Sequence, residues 1–444
     1  MKAYIKTYGC QMNEQDSLQM KGLLARIGYD EAKEPIDADL VLISTCSIRE
    51  KAVHKVYSDL GRIRPLAEEN PSLIVGIAGC VAQQEKGNLL KRFPFVDLVF
   101  GPDAIRDLPE MVEKIQKGKK KGTPERLLNT RFRPRDEFEF VNLIVPQEEN
   151  RVSAFVNIQK GCDNICSFCI VPQVRGREVS RPSGDIIREI NVLTEMGVKE
   201  VTLLGQNVNS YGLKKGEVTF AQLLEKIGRE TSLKRLRFMT SHPKDVGDDL
   251  VRQFKDLEIL CPHFHLPVQS GSDQILKVMK RRYTRGEYLE KIGKLKEARP
   301  GIVFSSDFII GVPGETEEDF EASLTLVDEV GFHSIFSFIY SPRPGTTAVA
   351  LPDNVSTDEK SRRLSVFQEK QKFWSQKRNE ELVGKQEEVL VEKRSDAGQN
   401  WIGRTLNNTL VTLKPPSDDG DLTGKMVWAK MTGASVQGVK GEVS

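Results

Sequence analysis

Three cysteines stand close together in the stretch Lys160-Gly161-Cys162-Asp163-Asn164-Ile165-Cys166-Ser167-Phe168-Cys169. Their C-x3-C-x2-C spacing places three thiolates in one short loop, directly after the apolar, strand-like residues 154–158. A structural zinc site normally closes with four ligands, whereas an iron–sulfur cubane can be held by three and keep one iron open. We therefore predict an iron–sulfur cluster at this loop. A structural zinc knuckle and three unrelated buried thiols are the alternatives.

The composition describes a large chain without membrane or secretion signals. Its 444 residues suggest about three domains, and 39% of them are hydrophobic and 29% charged. No apolar run is long enough to span a bilayer and the N-terminus lacks a signal-peptide core, so we expect a cytoplasmic protein without membrane contact. Seven cysteines are too few for a secreted disulfide scaffold and favour metal binding or catalysis. Because the formal net charge is only +2, a polyanionic partner would be bound by local patches.

Three further cysteines each end a short apolar run in the N-terminal part of the chain. The runs lie at residues 3–10, 39–46 and 73–80, with helical stretches at 17–27 and 48–64. This alternation predicts an α/β domain over residues 1–116 with a parallel sheet, in which the carboxyl ends of the strands share one edge. Cys10, Cys46 and Cys80 would then meet as a second three-thiolate site. The alternative is that each is a small buried core residue.

A basic segment follows at residues 117–149. It begins with Lys-Gly-Lys-Lys-Lys-Gly at 117–122 and continues with Arg131, Arg133 and Arg135 among aromatic residues and proline. We interpret the segment as a linker with solvated charges. Contact with an RNA backbone is the alternative.

The strand and helix alternation resumes over residues 150–377. Candidate strands lie at 155–158, 200–204, 235–239, 263–267, 303–310 and 334–340, and candidate helices at 184–195, 220–229, 284–298 and 316–329. Six such units predict a partial (β/α)6 barrel, whose ligands bind at the carboxyl ends of the strands. Polar motifs at that rim make Gln206, Asn207, Gln269 and Arg343 candidate cofactor contacts. Turns and helix caps are the alternative explanation for one or two of these motifs.

The tail, residues 378–444, changes to short β-rich pieces at 388–392, 401–405, 409–413 and 426–430. Their spacing predicts a small antiparallel barrel. Its basic and aromatic residues are candidate contacts for single-stranded RNA, where base stacking contributes about 1–3 kcal/mol per base. They are Arg394, Trp401, Arg404, Trp428 and Lys430. A structural cap is the alternative.

Taken together, these motifs resemble those of the radical S-adenosylmethionine (SAM) methylthiotransferases over nearly the whole chain. The resemblance is carried by the central cysteine loop and by Thr7-Tyr8-Gly9-Cys10-Gln11-Met12-Asn13, Thr45-Cys46-Ser47-Ile48-Arg49-Glu50-Lys51-Ala52 and Gly79-Cys80. The sequence around Cys10 and Cys46 is most similar to that of the family branch that acts on N6-(dimethylallyl)adenosine at position 37 of tRNA. Two departures are Ser44, where the family usually has Asn, and Pro-Gln-Val-Arg-Gly at 172–176, where Pro-Tyr-Thr-Arg-Gly is common.

The resemblance implies the cofactors and the reaction. One [4Fe-4S] cluster, which binds SAM, is expected on Cys162, Cys166 and Cys169. Further SAM contacts are expected from Phe168, beside the adenine, and from Gln206, Asn207, Gln269 and Arg343. A second [4Fe-4S] cluster, which carries the sulfur, is expected on Cys10, Cys46 and Cys80. The implied reaction adds a methylthio group to C2 of the adenine, with SAM as methyl donor and as source of a 5′-deoxyadenosyl radical.

The resemblance also implies the partners and the role of the tail. A TRAM-like RNA-binding barrel, a tRNA anticodon stem-loop as substrate, an electron donor such as flavodoxin or ferredoxin, and a monomeric state are expected. One alternative is the same chemistry on N6-threonylcarbamoyladenosine in tRNA or on an aspartate of a ribosomal protein. Another is a zinc-stabilised RNA-binding protein without catalysis.

Overall fold

The structure is a computed structural model that divides into two compact units. It describes residues 1–47, 50–143, 151–213, 216–395, 398, 400–414 and 420–444, and of residues 50–54 only the backbone. The N-terminal unit comprises Met1–Pro146, Gln159–Asn164 and Ile170–Arg181, and the C-terminal unit comprises Gln147–Ile158, Ile165–Cys169 and Pro182–Ser444. The central cysteine loop therefore contributes Cys162 to the first unit and Cys166 and Cys169 to the second. Among the described residues, no helix has the length and apolar character needed to cross a membrane.

The N-terminal unit is built on a parallel sheet. Its strands are β1 (Lys2–Tyr8), β2 (Asp30–Glu31), β3 (Leu40–Thr45), β4 (Ile74–Gly79), β5 (Leu98–Phe100) and β6 (Leu127–Asn129). Its helices are α1 (Gln11–Arg26), α2 (Glu50–Glu69), α3 (Cys80–Glu85), α4 (Gly87–Arg92) and α5 (Leu108–Lys120). The strands pair in the order β2-β1-β3-β4-β5-β6, all in parallel, so the predicted α/β domain is confirmed.

Each face of this sheet is covered by its own apolar core. Leu40 and Leu42 of β3 pack into one core, while Val41 and Ile43 pack into the other. This is the two-residue alternation of a strand that is buried on both faces. The continuous apolar runs of the sequence follow from that double burial.

The predicted linker at 117–149 is wrong for its first part. Helix α5 continues to Lys120, and β6 adds a strand to the edge of the sheet. The basic run is the last turn of a helix whose apolar side is buried, and positive charge at a helix C-terminus is favourable. Lys119 is held in place there, since its Nζ lies 3.1 Å from the Asp97 carboxylate and donates to the Leu73 carbonyl at 2.7 Å.

Four short elements follow next along the described part of the chain. They are β7 (Ser153–Asn157), β8 (Gln159–Lys160), α6 (Val171–Val174) and β9 (Val179–Ser180). β8 and β9 form an antiparallel pair in the N-terminal unit, whereas β7 begins the sheet of the C-terminal unit.

The C-terminal unit contains the predicted (β/α)6 arrangement. Its further strands are β10 (Glu200–Leu204), β11 (Arg235–Phe238), β12 (His263–His265), β13 (Val303–Ile310) and β14 (Ser334–Ile339). Its helices are α7 (Ser183–Glu195), α8 (Phe220–Glu230), α9 (Asp248–Asp256), α10 (Asp273–Val278), α11 (Arg285–Ala298), α12 (Glu317–Val330) and α13 (Thr357–Glu380). β7, β10 and β11 pair in parallel, as do β12, β13 and β14, and a parallel bridge between Leu236 and Leu260 joins the two sets.

Local sequence explains where several of these helices begin. Thr219, Thr284 and Thr316 form capping boxes at α8, α11 and α12, in which the threonine hydroxyl and the side chain three residues later satisfy backbone N–H groups reciprocally. The long helix α13 was not among the predicted helices. It packs on β14 and on the C-terminal barrel strand that begins at Met426.

The tail forms the predicted small barrel. Its strands are β15 (Gln386–Arg394), β16 (Trp401–Thr405), β17 (Leu410–Lys414), β18 (Met426–Ser435) and β19 (Gly438–Val443), closed in the order β15-β16-β17-β19-β18. All pairs are antiparallel except β17 with β19. The prediction that Trp401 contacts RNA is wrong, because this side chain is only 2% exposed and packs in the barrel core.

Two arginines of β11 attach this barrel to the (β/α)6 sheet. Arg235 donates to the carbonyls of Arg404 and Glu388 at 2.9 and 3.1 Å. Arg237 donates to the carbonyls of Leu406 and Thr405, both at 2.9 Å, and pairs with Glu200 at 2.9 Å. The guanidinium groups thus provide buried hydrogen-bond donors to backbone carbonyls of the barrel at this contact.

We expect Arg237→Met to lower the free energy of unfolding by about 3–5 kcal/mol. The substitution leaves a buried carboxylate without its ion-pair partner and two carbonyls without the hydrogen bonds that Arg237 donates. Arg229→Met, which removes an exposed arginine from α8, should change it by less than about 1 kcal/mol. Urea titration measures both values. Equal effects of the two substitutions would show that the buried arginine does not hold the barrel.

Candidate metal centres and cofactor rim

The N-terminal cysteines lie side by side at the carboxyl edge of the parallel sheet. In the paired strands β1, β3 and β4, Tyr8 is opposite Thr45, and Thr45 is opposite Gly79. One or two residues beyond these positions come Cys10, Cys46 and Cys80. Adjacent strands are about 4.8 Å apart, so the register brings the cysteines together. The predicted meeting at one edge is confirmed, and their role as cluster ligands stays a prediction.

Two glycines permit this close approach. Gly9 has φ +149°, and a Cβ there would lie 2.8 Å from the Cβ of Cys46. Gly79 has φ +87° and ψ −156°, a conformation nearly restricted to glycine, and a Cβ there would lie 2.8 Å from the Thr45 carbonyl oxygen. A larger residue at Gly9 would clash with Cys46, and one at Gly79 would clash with the Thr45 backbone directly before Cys46.

The surroundings of the trio favour thiolate at one position. A hydrogen bond from the Cys46 thiol lowers the pKa of Cys10 to about 6, against the effect of burial and with help from the charge of Arg175. Burial raises the pKa of Cys80, which Arg175 opposes. The thiolate is the form that binds metal, so a lowered pKa favours metal binding.

Orphaned polar atoms show that the residues fit an additional bound group. Within the described residues, Asn13 Nδ2, Ser44 Oγ and Ser47 Oγ are buried and have no hydrogen-bond partner. Such atoms are rare in proteins unless a ligand or ion completes the site. No three His, Cys, Asp or Glu side chains of the described chain converge closely enough to hold a single metal ion. A cubane does not require that convergence, because each cysteine binds a different iron.

In the N-terminal unit, the first part of the central loop is anchored by its backbone and by one carboxylate. The Cys162 amide donates to the Gly176 carbonyl at 3.2 Å. Asp163 accepts from the Glu178 amide at 3.2 Å and forms ion pairs with Arg135 and Arg177. These contacts fix the approach of the chain to the loop.

In the C-terminal unit, the second part of the loop forms a turn that carries Cys166 and Cys169. The Cys169 amide donates to the Cys166 carbonyl at 3.1 Å. Ser167 anchors the turn, since its amide and hydroxyl donate to the carbonyls of Met279 and Val278 at 3.0 and 2.8 Å. Phe168 packs against an apolar cluster formed by Ile275, Met279, Val312, Tyr340 and Ala348. Its role beside an adenine stays a prediction.

A buried arginine and a histidine contact Cys166. Arg281 Nη1 lies 3.4 Å from the sulfur, while Nη2 donates to the Pro267 carbonyl at 2.7 Å. His242 Nε2 lies 3.9 Å from the same sulfur. The Asn209 side chain holds the histidine backbone, since its Oδ1 accepts from the His242 amide and its Nδ2 donates to the His242 carbonyl, both at 2.9 Å. Burial, followed by the charge of Arg281, lowers the pKa of His242 to about 2, so the imidazole is neutral.

Apart from Phe168, the predicted SAM contacts follow the carboxyl ends of parallel strands. Gln206 and Asn207 follow β10, Gln269 follows β12 and Arg343 follows β14. Gln269 has φ +76°, a strained value for a residue other than glycine, and such strain often marks a functional site. Asn207 Nδ2 donates to Asp245 at 2.8 Å, which gives it a structural contact as well. Their contact with SAM stays a prediction.

Comparison with known proteins identifies the family. Residues 2–101 match the family described as "Uncharacterized protein family UPF0004", and residues 156–327 match the radical SAM superfamily. The tRNA-2-methylthio-N(6)-dimethylallyladenosine synthases of Geobacter sulfurreducens and Nitrosomonas europaea are both 46% identical to the chain, over 99% and 100% of its length and 97% and 99% of theirs. The chain belongs to this family of synthases. It is therefore a radical SAM methylthiotransferase, whose superfamily uses SAM and a [4Fe-4S] cluster.

Solved structures agree on the fold. The radical SAM methyltransferase TsrM from Kitasatospora setae, with tryptophan and a SAM analog bound, aligns with a TM-score of 0.61 and 16% identity over 78% of this chain and 75% of its own. The cobalamin-dependent radical SAM enzyme OxsB aligns with a TM-score of 0.51 and 12% identity over 84% of this chain and 56% of its own. At these identities the likeness supports the α/β architecture alone.

Three side chains near the cysteines of this synthase family member carried little or no signal in the sequence. His242 lies in a motif at the predicted rim, but nothing marked it as a neighbour of Cys166. Arg281 is 115 positions from Cys166, and Arg175 reaches the N-terminal trio from the segment after Cys169. Only long-range packing places these groups, so no local pattern could have assigned them.

We expect Gly79→Ala to destabilise the protein by about 1–3 kcal/mol, since it forces an alanine into a conformation reserved for glycine. It should also lower the iron content of the protein, because the N-terminal cysteines are predicted to bind a cluster. Gly61→Ala is the matched control, because Gly61 lies in helix α2 with open space around it, and it should stabilise by about 0.5–1 kcal/mol. Urea unfolding and iron analysis measure both effects. Normal iron content in the Gly79 variant would contradict a role for the tight edge.

Proposed function

We propose that this protein adds a methylthio group to C2 of N6-(dimethylallyl)adenosine at position 37 of tRNA, with SAM as methyl donor and radical source. The observation that carries the proposal is the alignment of Cys10, Cys46 and Cys80 along one sheet edge, in a chain that also has the radical SAM cysteine loop. Full-length similarity to synthases named for this reaction supports the choice of substrate.

The residues divide into two sets of proposed ligands. Cys162, Cys166 and Cys169 would hold the cluster that binds SAM, and Cys10, Cys46 and Cys80 would hold a second [4Fe-4S] cluster. When bound, these groups supply radical chemistry that activates a carbon–hydrogen bond and delivers sulfur and methyl, which no acid or base of the chain can do. The second cluster is our inference from the orphaned atoms and the low-pKa thiol at that edge.

The chain itself contributes positioning, charge and exclusion of water. Arg281 places a permanent positive charge and hydrogen-bond donors against the Cys166 sulfur, while His242 stays neutral beside it. Cys46 and Cys80 are buried, which keeps water away from the N-terminal edge. An electron donor such as flavodoxin or ferredoxin and a monomeric state remain parts of the proposal.

We expect Cys166→Ala to abolish SAM cleavage, and Cys46→Ala to leave cleavage intact but stop methylthio transfer, because the two residues belong to different ligand sets. Cys261→Ala is the control, since this cysteine is buried outside both sets. Chromatography of 5′-deoxyadenosine and mass spectrometry of tRNA nucleosides read the two steps. Equal loss of cleavage in the first two variants would contradict the division. A methylthio group on threonylcarbamoyladenosine would contradict the substrate.

The exposed side of β18 is the proposed RNA-stacking surface. Met426, Trp428 and Lys430 alternate along it with Ala429 and Met431, which face the barrel core. Trp428 is 57% exposed, so its indole is accessible to a base. A cationic and aromatic strand face suits an unpaired RNA loop, whose bases can stack on the indole.

We expect Trp428→Ala to weaken tRNA binding by roughly 5- to 150-fold, the equivalent of losing one stacked base. Phe373→Ala, which removes an aromatic side chain that is 60% exposed on α13, should leave the dissociation constant unchanged. Fluorescence anisotropy with a labelled anticodon stem-loop measures both. The same affinity in both variants would remove Trp428 from the RNA surface.

A further inference from the structure

Arg175 is a buried cation beside the N-terminal cysteines. It follows α6, which packs on α3 so that Ile170 and Val174 form a small buried cluster with Cys80. The arginine is 5% exposed, and its Nη2 donates to Asp16 at 2.6 Å. Asp16 lies on α1, the helix that begins directly after Cys10. The guanidinium is always charged, so this edge of the sheet holds a fixed positive charge.

One carboxylate pairs with the charge of Arg175. Asp16 is the carboxylate paired with it, and the second buried pair nearby joins Lys160 to Asp103 at 2.6 Å. The Arg175 side chain also forms a hydrogen bond with the Cys80 thiol, and its charge acts on Cys10 as well. In a low-dielectric interior such a charge acts strongly on an anionic neighbour.

The same segment also meets the first cysteine of the central loop. The carbonyl of Gly176, the next residue, accepts from the Cys162 amide at 3.2 Å. Gly176 has φ +72°, and a Cβ there would lie 3.0 Å from the ring of Phe132, so a larger residue would be strained at this point. Residues Arg175 and Gly176 therefore connect Cys162, a proposed ligand of the SAM-binding cluster, to the surroundings of the N-terminal cysteines.

We propose that Arg175 is a positioning residue that raises the reduction potential of the second cluster, and that Asp16 limits this effect. The inference rests on the proposed function, which supplies that cluster. Net charge and hydrogen bonds to the sulfurs set the potential of such clusters, and a fixed cation favours the reduced, more negative state. Reducing this cluster would then depend on a side chain contributed by the radical SAM loop segment.

A purely structural role makes a different prediction. If the Arg175–Asp16 pair only ties α1 to the segment after α6, breaking it lowers stability but leaves the potential where it was. Opposite charge changes at the two positions separate these cases. Removing the cation should make the potential more negative, whereas removing the carboxylate should make it more positive.

The test uses the full chain with Cys162, Cys166 and Cys169 replaced by alanine, so that the second cluster alone reports. Dithionite titration followed by electron paramagnetic resonance gives its midpoint potential in the parent and in Arg175→Gln, Arg175→Lys and Asp16→Asn. We expect a negative shift for Arg175→Gln, a smaller shift of the same sign for Arg175→Lys and a positive shift for Asp16→Asn. Arg62→Gln, which removes an exposed arginine of the same unit, should give no shift because solvent screens it.

Each failure has a distinct cause. A parent without bound iron and sulfide would overturn the proposed second cluster and this inference with it. Unchanged potentials in a parent that holds the cluster would overturn the inference alone. If Arg175→Gln loses its cluster, the Arg175→Lys and Asp16→Asn shifts decide, and the absence of opposite shifts would overturn the assignment.

Discussion

Parallel pairing of β1, β3 and β4 is the constraint on which the N-terminal site depends. The ladder hydrogen bonds fix the strand ends in register, and the cysteines that follow inherit that register. A shift of one residue in either pairing would move a thiol away from the edge or turn it to the other face. Gly9 and Gly79 have no Cβ atom, so they allow the close approach of Cys46 and of the Thr45 backbone that this register requires. Sheet geometry, and not a dedicated binding loop, brings together three cysteines that are far apart in sequence.

A buried arginine accompanies the cysteines in each unit. Arg175 contacts Cys80 in the N-terminal unit, and Arg281 contacts Cys166 in the C-terminal unit. Burying thiolates in a low-dielectric interior is costly unless positive charge is near, and arginine keeps its charge in such a place. The two arginines come from unrelated segments of the fold. Their recurrence is what the electrostatics of buried anionic groups requires.

Sequence patterns predict the features of the fold that depend on residues close together in the chain. Strands that end in cysteine were found because apolar runs and their ends are read directly from the chain, and the (β/α)6 alternation and the small barrel were found for the same reason. The prediction of a linker is wrong at the basic end of α5 because a charged last helical turn resembles a solvated segment. The prediction that Trp401 contacts RNA is wrong because composition does not tell which face of a strand a residue occupies. Arg175 and Arg281 act through contacts across the fold, which a single sequence does not encode locally.

One strand connects the C-terminal barrel to the predicted cofactor rim in the C-terminal unit. Arg235 and Arg237 of β11 hold the barrel through its backbone carbonyls, and the same strand leads within a few residues to His242 beside Cys166. Because a strand is stiff along its axis, a displacement of the barrel is resisted by the element that carries the histidine. The strained residue Thr240, with φ +68°, marks the turn between the two ends. Strand β11 thus links the position of the proposed stacking surface to that of the cysteine turn, as an enzyme that acts on one base of a large RNA requires.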